Sequence, residues 1–396
     1  MVDLPVDKCV GCGACEATCP INAIKIMPKG LLGRYPVVDR SICLQCSACN
    51  RICPVDNFKL LKPRKVYAAV SKNCKSLKRY ASGGFASEVS KRFIYEGGVV
   101  YASIMATAFE ARHIRISNET DVNLACGSKY VHSDLSSVFK PLKKDLIDGT
   151  KVLFIGTPCQ VAAIKSYTLG KYNNLFCIDL ICHGVPSQEM LAAYLKDELK
   201  KSDTDLSDAT LLFRWKNAHK KEHQIEFGTK IIEKHNCRVV LNRKYPQSSY
   251  MAAFFAGISY RENCHNCKFA STNRVGDITI GDFWGLKKTA LETSQGVSAV
   301  IVNSIKGEHL IESYTSNLLF EEHTLDEVTK HNANLNHPTR RDPYKSNFAE
   351  SVQNEGFRTA VKKFVPSYNK ENKLSYRIYL AIARQTYRLK ALLGRY

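Results

Sequence analysis

Two cysteine runs near the start of the chain have the spacing of iron–sulfur ligands. Each run has the form Cys-x2-Cys-x2-Cys-x3-Cys-Pro, and the second begins 34 residues after the first. Three thiolates spaced in this way can wrap one corner of a cubane, while the fourth cysteine of each run binds the other cluster. The pattern therefore predicts two 4Fe–4S clusters. Their ligands are Cys9, Cys12, Cys15 and Cys53 for the first and Cys43, Cys46, Cys49 and Cys19 for the second.

The doubled run resembles the bacterial two-cluster ferredoxins. A zinc site would instead use paired Cys-x2-Cys arms that close on one ion. The exchange of ligands would tie residues 1–60 into a single ferredoxin-like α+β domain, which needs such a tie because its own core is small. A domain of this kind conducts electrons, so a redox partner must lie elsewhere in the chain or on another protein.

The rest of the chain shows the strand–turn–helix pattern of an α/β fold. Apolar runs predict strands at Val66–Val70, Val152–Ile155 and Leu175–Ile181. Each of the last two is followed by a helix, capped near Thr157 and near Ser187. Two such units imply parallel strands whose carboxyl ends point the same way, and ligands of such sheets bind just beyond those ends.

A Ser82-Gly83-Gly84 turn between a strand and a helix is a candidate anion site. Ser82 is the predicted N-cap of that helix, and the exposed N–H groups of a helix start favour phosphate. Glycine also lets a ligand approach the backbone closely. The alternative is that the turn only caps the helix, since it is not the dinucleotide-binding fingerprint.

Four further cysteines can form a third metal site. Cys159 and Cys182 each follow a predicted parallel strand, and Cys264 and Cys267 form a Cys-x2-Cys pair much later in the chain. Four thiolates complete either a 4Fe–4S cluster or a structural zinc site. Cys177, which lies inside a strand, is instead predicted to be a small buried residue.

Several motifs in one order give the chain a wider resemblance. They are "SGGF" (82–85), "GSKYVHSD" (127–134), "LFIGTPCQV" (153–161), "DLICHGVPS" (179–187), "CHNCKFASTNRVGDITIGDFWG" (264–285) and "GVSAVIVN" (296–303). On these motifs, residues from about Val66 to Asn303 resemble the coenzyme F420 hydrogenase/dehydrogenase beta-subunit family. The resemblance implies an α/β flavoprotein body with parallel strands, an FAD group and iron–sulfur clusters.

The resemblance also implies a division of the chain. Residues 1–60 are the two-cluster domain, 61–148 the flavin-binding part, 149–330 the α/β part with the internal cluster site, and 331–396 a basic helical tail. Ser82, Gly83 and Gly84 would hold FAD phosphates. The internal cysteines would form a cluster close to the flavin.

The same resemblance points to residues that would act on the flavin. Lys129, in "GSKY", would stabilise reduced, anionic flavin by its charge, although it could instead lie at the surface. His183 is a candidate proton donor, or else stabilises its turn by a hydrogen bond. Asp277 and Asp282 could orient groups near the cofactors. Trp284 could stack on a ring or pack in the core.

These residues favour an FAD-dependent iron–sulfur oxidoreductase. It would relay electrons between ferredoxin-type clusters and a flavin that reduces or oxidises a small organic substrate or carrier. The alternative is an electron-transfer beta subunit of a larger hydrogenase- or dehydrogenase-like complex, with coenzyme F420 or another two-electron carrier and a redox partner protein. A third class is a regulatory or nucleic-acid-binding iron–sulfur protein.

Composition indicates the cellular compartment of the protein and the partners it could bind. Sixteen cysteines, no uninterrupted apolar run of about 18 residues and no apolar leader at the start predict a cytoplasmic protein without a transmembrane segment. The formal charge of +20 could attract nucleic acid, a membrane surface or an acidic partner. Cluster-bound thiolates would offset part of this charge, so no nucleic-acid partner is expected.

The last 66 residues are the most basic segment. Residues 331–396 hold 13 Lys and Arg against 4 Asp and Glu. The stretch "LSYRIYLAIARQTYRLKALLGRY" has the pattern of a basic amphipathic helix. Such a helix either packs on its own domain or makes a peripheral contact with a membrane surface or an acidic partner.

Overall fold

The computed structural model describes residues 5–200, 206–287 and 289–372. Its N-terminal unit has two short helices around one antiparallel hairpin: α1 (Ala14–Thr18), β1 (Ile24–Pro28), β2 (Arg34–Val38) and α2 (Ala48–Arg51). The first two cysteines of each run lie in the loop that leads into α1 or α2, the third lies in that helix and the fourth follows it. The unit thus has the α+β composition that the sequence predicts.

The first part of the body alternates strands and helices. Its elements are β3 (Lys65–Ser71), α3 (Cys74–Leu77), α4 (Phe85–Tyr95), β4 (Val99–Met105), β5 (Ala111–Ile116), α5 (Val122–Ala125), α6 (Phe139–Ile147), β6 (Val152–Gly156), α7 (Pro158–Tyr167), β7 (Leu175–Leu180) and α8 (Gln188–Glu198). The predicted strands and both predicted caps are present, since Thr157 precedes α7 and Ser187 precedes α8. The cap of α4 is Gly84 and not Ser82, so that prediction was wrong by two residues.

The second part adds a small sheet and a helical end. Its elements are β8 (Ala209–Lys216), β9 (Ile225–Glu233), β10 (Val239–Lys244), α9 (Ser249–Phe255), β11 (Ile278–Asp282), β12 (Ser298–Val302), α10 (Ile305–Tyr314), β13 (Leu318–His323), α11 (Leu325–Thr329), α12 (Lys345–Glu355), α13 (Phe357–Phe364) and α14 (Pro366–Asn372). Short 3-10 turns lie at Leu206–Asp208, Glu262–Asn266 and Ala333–Leu335. The predicted basic amphipathic helix, residues 374–396, lies outside the described residues.

The main sheet has eight strands in the order β13-β3-β12-β11-β7-β6-β4-β5. Only its centre is parallel, because β11, β7, β6 and β4 pair in one direction while the strands outside them pair antiparallel. The expectation of parallel strands therefore holds for the centre, and the sheet as a whole is mixed. The carboxyl ends of β6, β7 and β11 meet at one edge.

Helices cover both faces of this sheet. Phe85, Val89 and Phe93 place α4 on one face, together with α10. The opposite face packs against α6 and α7, and the N-terminal unit joins that core through Val10 and Ala14. The N-terminal unit thus packs against the rest of the chain through apolar contacts.

A second core lies beside the main sheet. The three-stranded antiparallel sheet β10-β9-β8 packs with α8, α9, α12 and α13 through buried aromatic side chains such as Phe213, Tyr250 and Phe357. Among the described residues, no helix combines the length and apolar character needed to span a bilayer.

Candidate redox site

The eight N-terminal cysteines fall into two groups. Two separate depressions in the N-terminal unit are lined by four cysteines each: Cys9, Cys12, Cys15 and Cys53 in one, and Cys19, Cys43, Cys46 and Cys49 in the other. Each depression therefore takes three thiols from one run and the fourth from the other run. This is the exchanged grouping that the spacing predicts, although which atoms the thiols bind stays a prediction.

Left-handed backbone turns shape both loops in the same way. Gly11 and Gly13 have φ of +60° and +82° in the first run, and Gln45 and Ser47 have +52° and +57° at the equivalent positions of the second. Side chains other than glycine adopt this conformation only when the surroundings hold it. The repeat in sequence is thus also a repeat in backbone conformation.

The two groups differ in their contact with solvent. In the first group, burial raises the pKa of Cys15 to about 12, and the adjacent Cys9 thiol adds to the effect. Burial also raises the pKa of Cys12, with Cys15 as the next cause. In the second group Cys46 is exposed. Because thiolates are the ligands, metal binding at the first group would release protons.

The four internal cysteines also come together. Cys159 lies in the first turn of α7, Cys182 follows β7, and Cys264 and Cys267 belong to the turn at Glu262–Asn266 and its end. Burial raises the pKa of Cys182, and the thiols of Cys264, Cys159 and Cys267 are the next causes, in that order. Burial likewise raises the pKa of Cys267 to about 12. The structure thus places the four thiols within electrostatic reach of one another.

A buried ion pair holds the late Cys-x2-Cys loop against the sheet. Arg274 is 1% exposed and donates to Asp179 Oδ1 from Nη2 at 3.1 Å, and to the carbonyl of Leu180 at 2.8 Å. It also donates to the carbonyl of Phe269 at 2.9 Å. Asp179 and Leu180 end β7, just before Cys182. These contacts therefore hold the late Cys-x2-Cys loop beside Cys182.

Neither cysteine set has the geometry of a single-ion site. Among the described residues, no three His, Cys, Asp or Glu side chains are arranged to hold one metal ion. This applies equally to the N-terminal groups and to the internal group.

A cavity of about 290 Å³ opens at the carboxyl edge of the sheet. The ends of three parallel strands line it, at Ile155–Thr157, Leu180–His183 and Ile280–Asp282, together with the first turn of α4. The volume is at the lower end of the usual range for ligand pockets, about 300–1,000 Å³. Cys182 lines the cavity and also belongs to the internal thiol group.

The three residues of the predicted phosphate turn have different environments. Ser82 lines the cavity, but its hydroxyl donates to the carbonyl of Val297 at 2.8 Å. Gly83 faces the sheet, since a Cβ there would lie 2.1 Å from the carbonyl oxygen of Ala69. Gly84 lines the cavity with φ +91° and, having no side chain, leaves the first N–H groups of α4 uncapped by a side chain.

Lys129 and His183 both line the cavity. The Lys129 ammonium donates to the carbonyls of Ala125, Cys126 and Gly127 at 2.6, 3.1 and 3.2 Å. Lys129 is half-buried, and its desolvation lowers its pKa to about 8. The His183 side chain is exposed, and partial desolvation by the surrounding groups lowers its pKa, which favours its neutral form.

The two candidate aspartates, Asp277 and Asp282, have different environments. Asp277 is buried away from the cavity, where it accepts hydrogen bonds from the Cys177 N–H and the Ser304 hydroxyl at 2.8 and 2.9 Å. It holds strands together and is not part of the cavity. Asp282 and Trp284 line the cavity, and Trp284 is 40% exposed, which excludes core packing for its ring.

Sequence reasoning missed three basic residues. Arg214 donates to both oxygens of Asp282 at 2.6 and 2.8 Å. Lys216 donates to the carbonyl of Ser82 at 2.9 Å, and burial, with Arg214 as the next cause, lowers its pKa to about 7. Arg261 is buried between Val10 and the internal cysteine loop. No motif marks them, although Arg214 and Lys216 share one face of β8.

Comparisons with known proteins identify two parts of the chain. Residues 149–328 match the family model for the C terminus of the coenzyme F420 hydrogenase/dehydrogenase beta subunit. Residues 8–57 match the model of a 4Fe–4S dicluster domain. No curated protein sequence matches the chain.

One similar solved structure contains a chain of the F420-reducing NiFe hydrogenase complex from Methanosarcina barkeri. The two sequences are 17% identical, and the match covers 78% of this chain and 91% of that one. The TM-score is 0.46, which is too low to support an argument from the shared fold.

Proposed function

Because residues 149–328 belong to the family of C-terminal regions of coenzyme F420 hydrogenase/dehydrogenase beta subunits and residues 8–57 to the 4Fe–4S dicluster domains, we propose that the chain is an electron-transfer subunit. It relays electrons between its N-terminal clusters and a flavin in the cavity at the sheet edge. The flavin exchanges electron pairs with coenzyme F420 or another two-electron carrier.

The single observation that carries this proposal is the position of Cys182. This residue lines the cavity, and its thiol interacts with those of Cys159, Cys264 and Cys267. A cluster held by these four cysteines would therefore border directly on a ligand in the cavity. Electrons could then pass between the two without crossing solvent.

The residues around the cavity suit a phosphate-bearing ring cofactor such as FAD. When bound, a flavin exchanges an electron pair with a carrier and single electrons with clusters. The uncapped first turn of α4 can bind phosphate, and the Lys216 amine lies against the carbonyl of Ser82 in the same turn. Trp284 offers an exposed ring face, and Lys129 and His183 are the groups that would hold charge or a proton there.

The family match favours a subunit over a free-standing enzyme that reduces a small organic substrate. A beta subunit acts with other chains, and the exposed Cys46 group offers them a route for electrons. Affinity purification of the chain from its native host tests this. We expect a second redox protein to co-purify in constant ratio, whereas isolation alone with full substrate turnover would contradict the subunit assignment.

Anaerobic metal and flavin analysis is the direct test of the cofactors. We expect about twelve irons per chain, four for each of three cubanes, with matching sulfide and one FAD. About eight irons with one zinc would mean that the internal cysteines hold a structural ion that does not conduct. Absence of flavin from protein purified and reconstituted with FAD would remove the flavin from the proposal.

A further inference from the structure

Arg261 is a buried cation at the contact between the N-terminal unit and the internal cysteine loop. Its side chain is 2% exposed, and its Nη1 donates to the carbonyl of Val10 at 2.6 Å. Its backbone N–H donates to the carbonyl of Val185, and its own carbonyl accepts from the Cys264 N–H at 3.1 Å. One residue therefore joins the loop of Cys9 and Cys12 to the loop of Cys264.

The first cysteine loop is built around this guanidinium. A Cβ at Gly11 would lie 2.4 Å from Arg261 Nη2, and one at Gly33 would lie 3.2 Å from Arg261 Nε. The Tyr35 ring closes the other side, with its centroid 5.1 Å from the guanidinium carbon. Glycines at these two positions leave the space that the charged group fills.

The charge of Arg261 lacks a carboxylate partner among the described residues. Its Nε and Nη2 are buried and donate to no acceptor there. Arg214 and Arg274, the other two deeply buried arginines, each pair with an aspartate. A buried charge is costly unless an opposite charge compensates it. The pKa of Arg261 is raised. Burial acts to lower it, and Tyr35, Cys264 and Cys9, which belong to the two sulfur sites or contact them, act to raise it.

We propose that Arg261 is a positioning residue that holds the Cys9/Cys12/Cys15/Cys53 group beside the internal cysteines and stabilises the reduced, more negative state of both. The inference rests on the proposed function, since it assumes clusters at these thiols. The first N-terminal cluster is then the neighbour of the internal site. The cluster of Cys19, Cys43, Cys46 and Cys49 is the outer one, which exchanges electrons with a partner.

The exposure of the second group agrees with this order. Cys46 is exposed, and Leu44, in the same loop, is 67% exposed. In the first group Cys9 and Cys15 are buried. Burial raises the pKa of Cys9, Cys159 and Cys264, and the charge of Arg261 acts to lower the pKa of all three. Arg261 therefore lies beside the two inner sites of the proposed path of three clusters.

Redox titration followed by electron paramagnetic resonance tests the proposal. In Arg261→Gln, which keeps an amide donor near Val10, we expect the reduced-to-oxidised ratio of the two inner clusters at fixed potential to fall about tenfold. For a one-electron couple this is a decrease of about 59 mV in midpoint potential. The outer cluster should keep its potential. A Cys43→Ser variant identifies the outer signal by its loss.

Two further variants separate charge from packing. Arg261→Lys keeps the charge without the planar fork and should restore most of the potential lost in Arg261→Gln. Arg341→Gln removes an exposed charge that pairs with Glu262, the residue after Arg261. This variant should leave the potentials of all clusters unchanged. Equal midpoint potentials in wild type, Arg261→Gln and Arg261→Lys would overturn the proposal. So would an equal shift of all three clusters.

Cofactor content keeps this result distinct from a failure of the proposed function. If wild-type protein holds only the N-terminal clusters, the internal part of the relay fails. The effect of Arg261 on the first N-terminal cluster is still measured in that protein. If Arg261→Gln does not retain its clusters, Arg261→Met serves as the uncharged variant of similar length, and its midpoint potentials are compared with those of wild type and Arg261→Lys.

Discussion

Single side chains set where charge is held in this molecule. The thiols of the first N-terminal group and of the internal group are buried or half-buried, which raises their pKa, so they bind protons until a metal replaces them. Two cations lie next to the places where negative charge would collect. Arg261 donates to the carbonyl of Val10 in the first cysteine loop, and Lys216 donates to the carbonyl of Ser82 in the turn before α4.

Substitution of Cys19 tests the exchange of ligands between the two runs. Cys19 lines the depression of Cys43, Cys46 and Cys49, although it is the last cysteine of the first run. We expect Cys19→Ser to change the signal of that cluster alone and to lower its iron content. The exposed Cys74, which lies in neither depression, provides the control Cys74→Ser. A change confined to the cluster of Cys9, Cys12 and Cys15 would show the assignment to be wrong.

We predict that flavin binding depends on pH through Lys216. Its pKa in the folded protein is lowered to about 7, so the amine of the flavin-free protein loses its charge as the pH rises through that value. A phosphate nearby favours the charged form, so binding takes up a proton above this pH. We therefore expect FAD affinity to fall as the pH rises from about 7 to 9.

Titration calorimetry of two variants checks the source of this dependence. Lys216→Met should bind FAD more weakly at pH 6 and should show a flatter profile. Lys220→Met, which removes a lysine paired with Glu226 near the surface, should keep the wild-type profile. An unchanged slope in Lys216→Met would assign the pH effect to another group.

Helix starts and loops decide which atoms face the cavity. The first turn of α4 begins at Gly84, whose φ of +91° strains any residue with a side chain. A Cβ at this position would also meet the Tyr80 ring at 2.3 Å. The turn therefore stays open toward the cavity because its cap residue is glycine.

Paired substitutions of Gly84 separate backbone strain from charge. Gly84→Asn and Gly84→Asp are similar in size, and each should lose about 1–2 kcal/mol of folding stability through the left-handed conformation and more through the contact of its Cβ with the Tyr80 ring. Only Gly84→Asp adds negative charge where the helix dipole would hold phosphate. We expect flavin affinity to fall further in Gly84→Asp than in Gly84→Asn. Equal affinities in two folded variants would exclude this turn from the phosphate site.

The whole molecule brings together segments that are far apart in the chain. Cysteines from α7, from the end of β7 and from the late loop meet below the cavity, and the N-terminal unit packs on the same side through Val10. We propose that these thiol groups form a path from the sheet edge to the exposed Cys46. Loss of the internal group should therefore separate the cavity from the N-terminal groups.

A double substitution tests this division. Cys264→Ala/Cys267→Ala should lose roughly a third of the iron, keep both N-terminal clusters and still bind FAD. Stopped-flow reduction of the flavin should no longer lead to reduction of the N-terminal clusters. Cys177→Ala changes a buried cysteine inside β7 that belongs to none of the groups, and should leave iron content and electron transfer intact. Unimpaired transfer in the double variant would mean that the flavin reaches the ferredoxin clusters directly.

Local sequence was sufficient for the features that depend on spacing along the chain. The two cysteine runs, the caps at Thr157 and Ser187, and the strands around residues 66, 152 and 175 follow from short-range geometry. The carboxyl-edge position of Cys159 and Cys182 followed as well, since parallel strands of one sheet end together. The cap of α4 was placed wrongly because glycine, unlike serine, gives no side-chain signal for an N-cap.

Tertiary structure alone decided which groups meet across long distances. Arg214 and Lys216 reach the Ser82 turn and Asp282 from a separate small sheet, and Arg261 reaches Val10 from about 250 residues later in the chain. No periodicity marks such contacts, because each depends on how packed elements are oriented and not on neighbours in sequence. The sequence by itself determined the candidate ligands and their spacing. Packing determined the cations beside them, since buried charge is placed by the three-dimensional surroundings that compensate it.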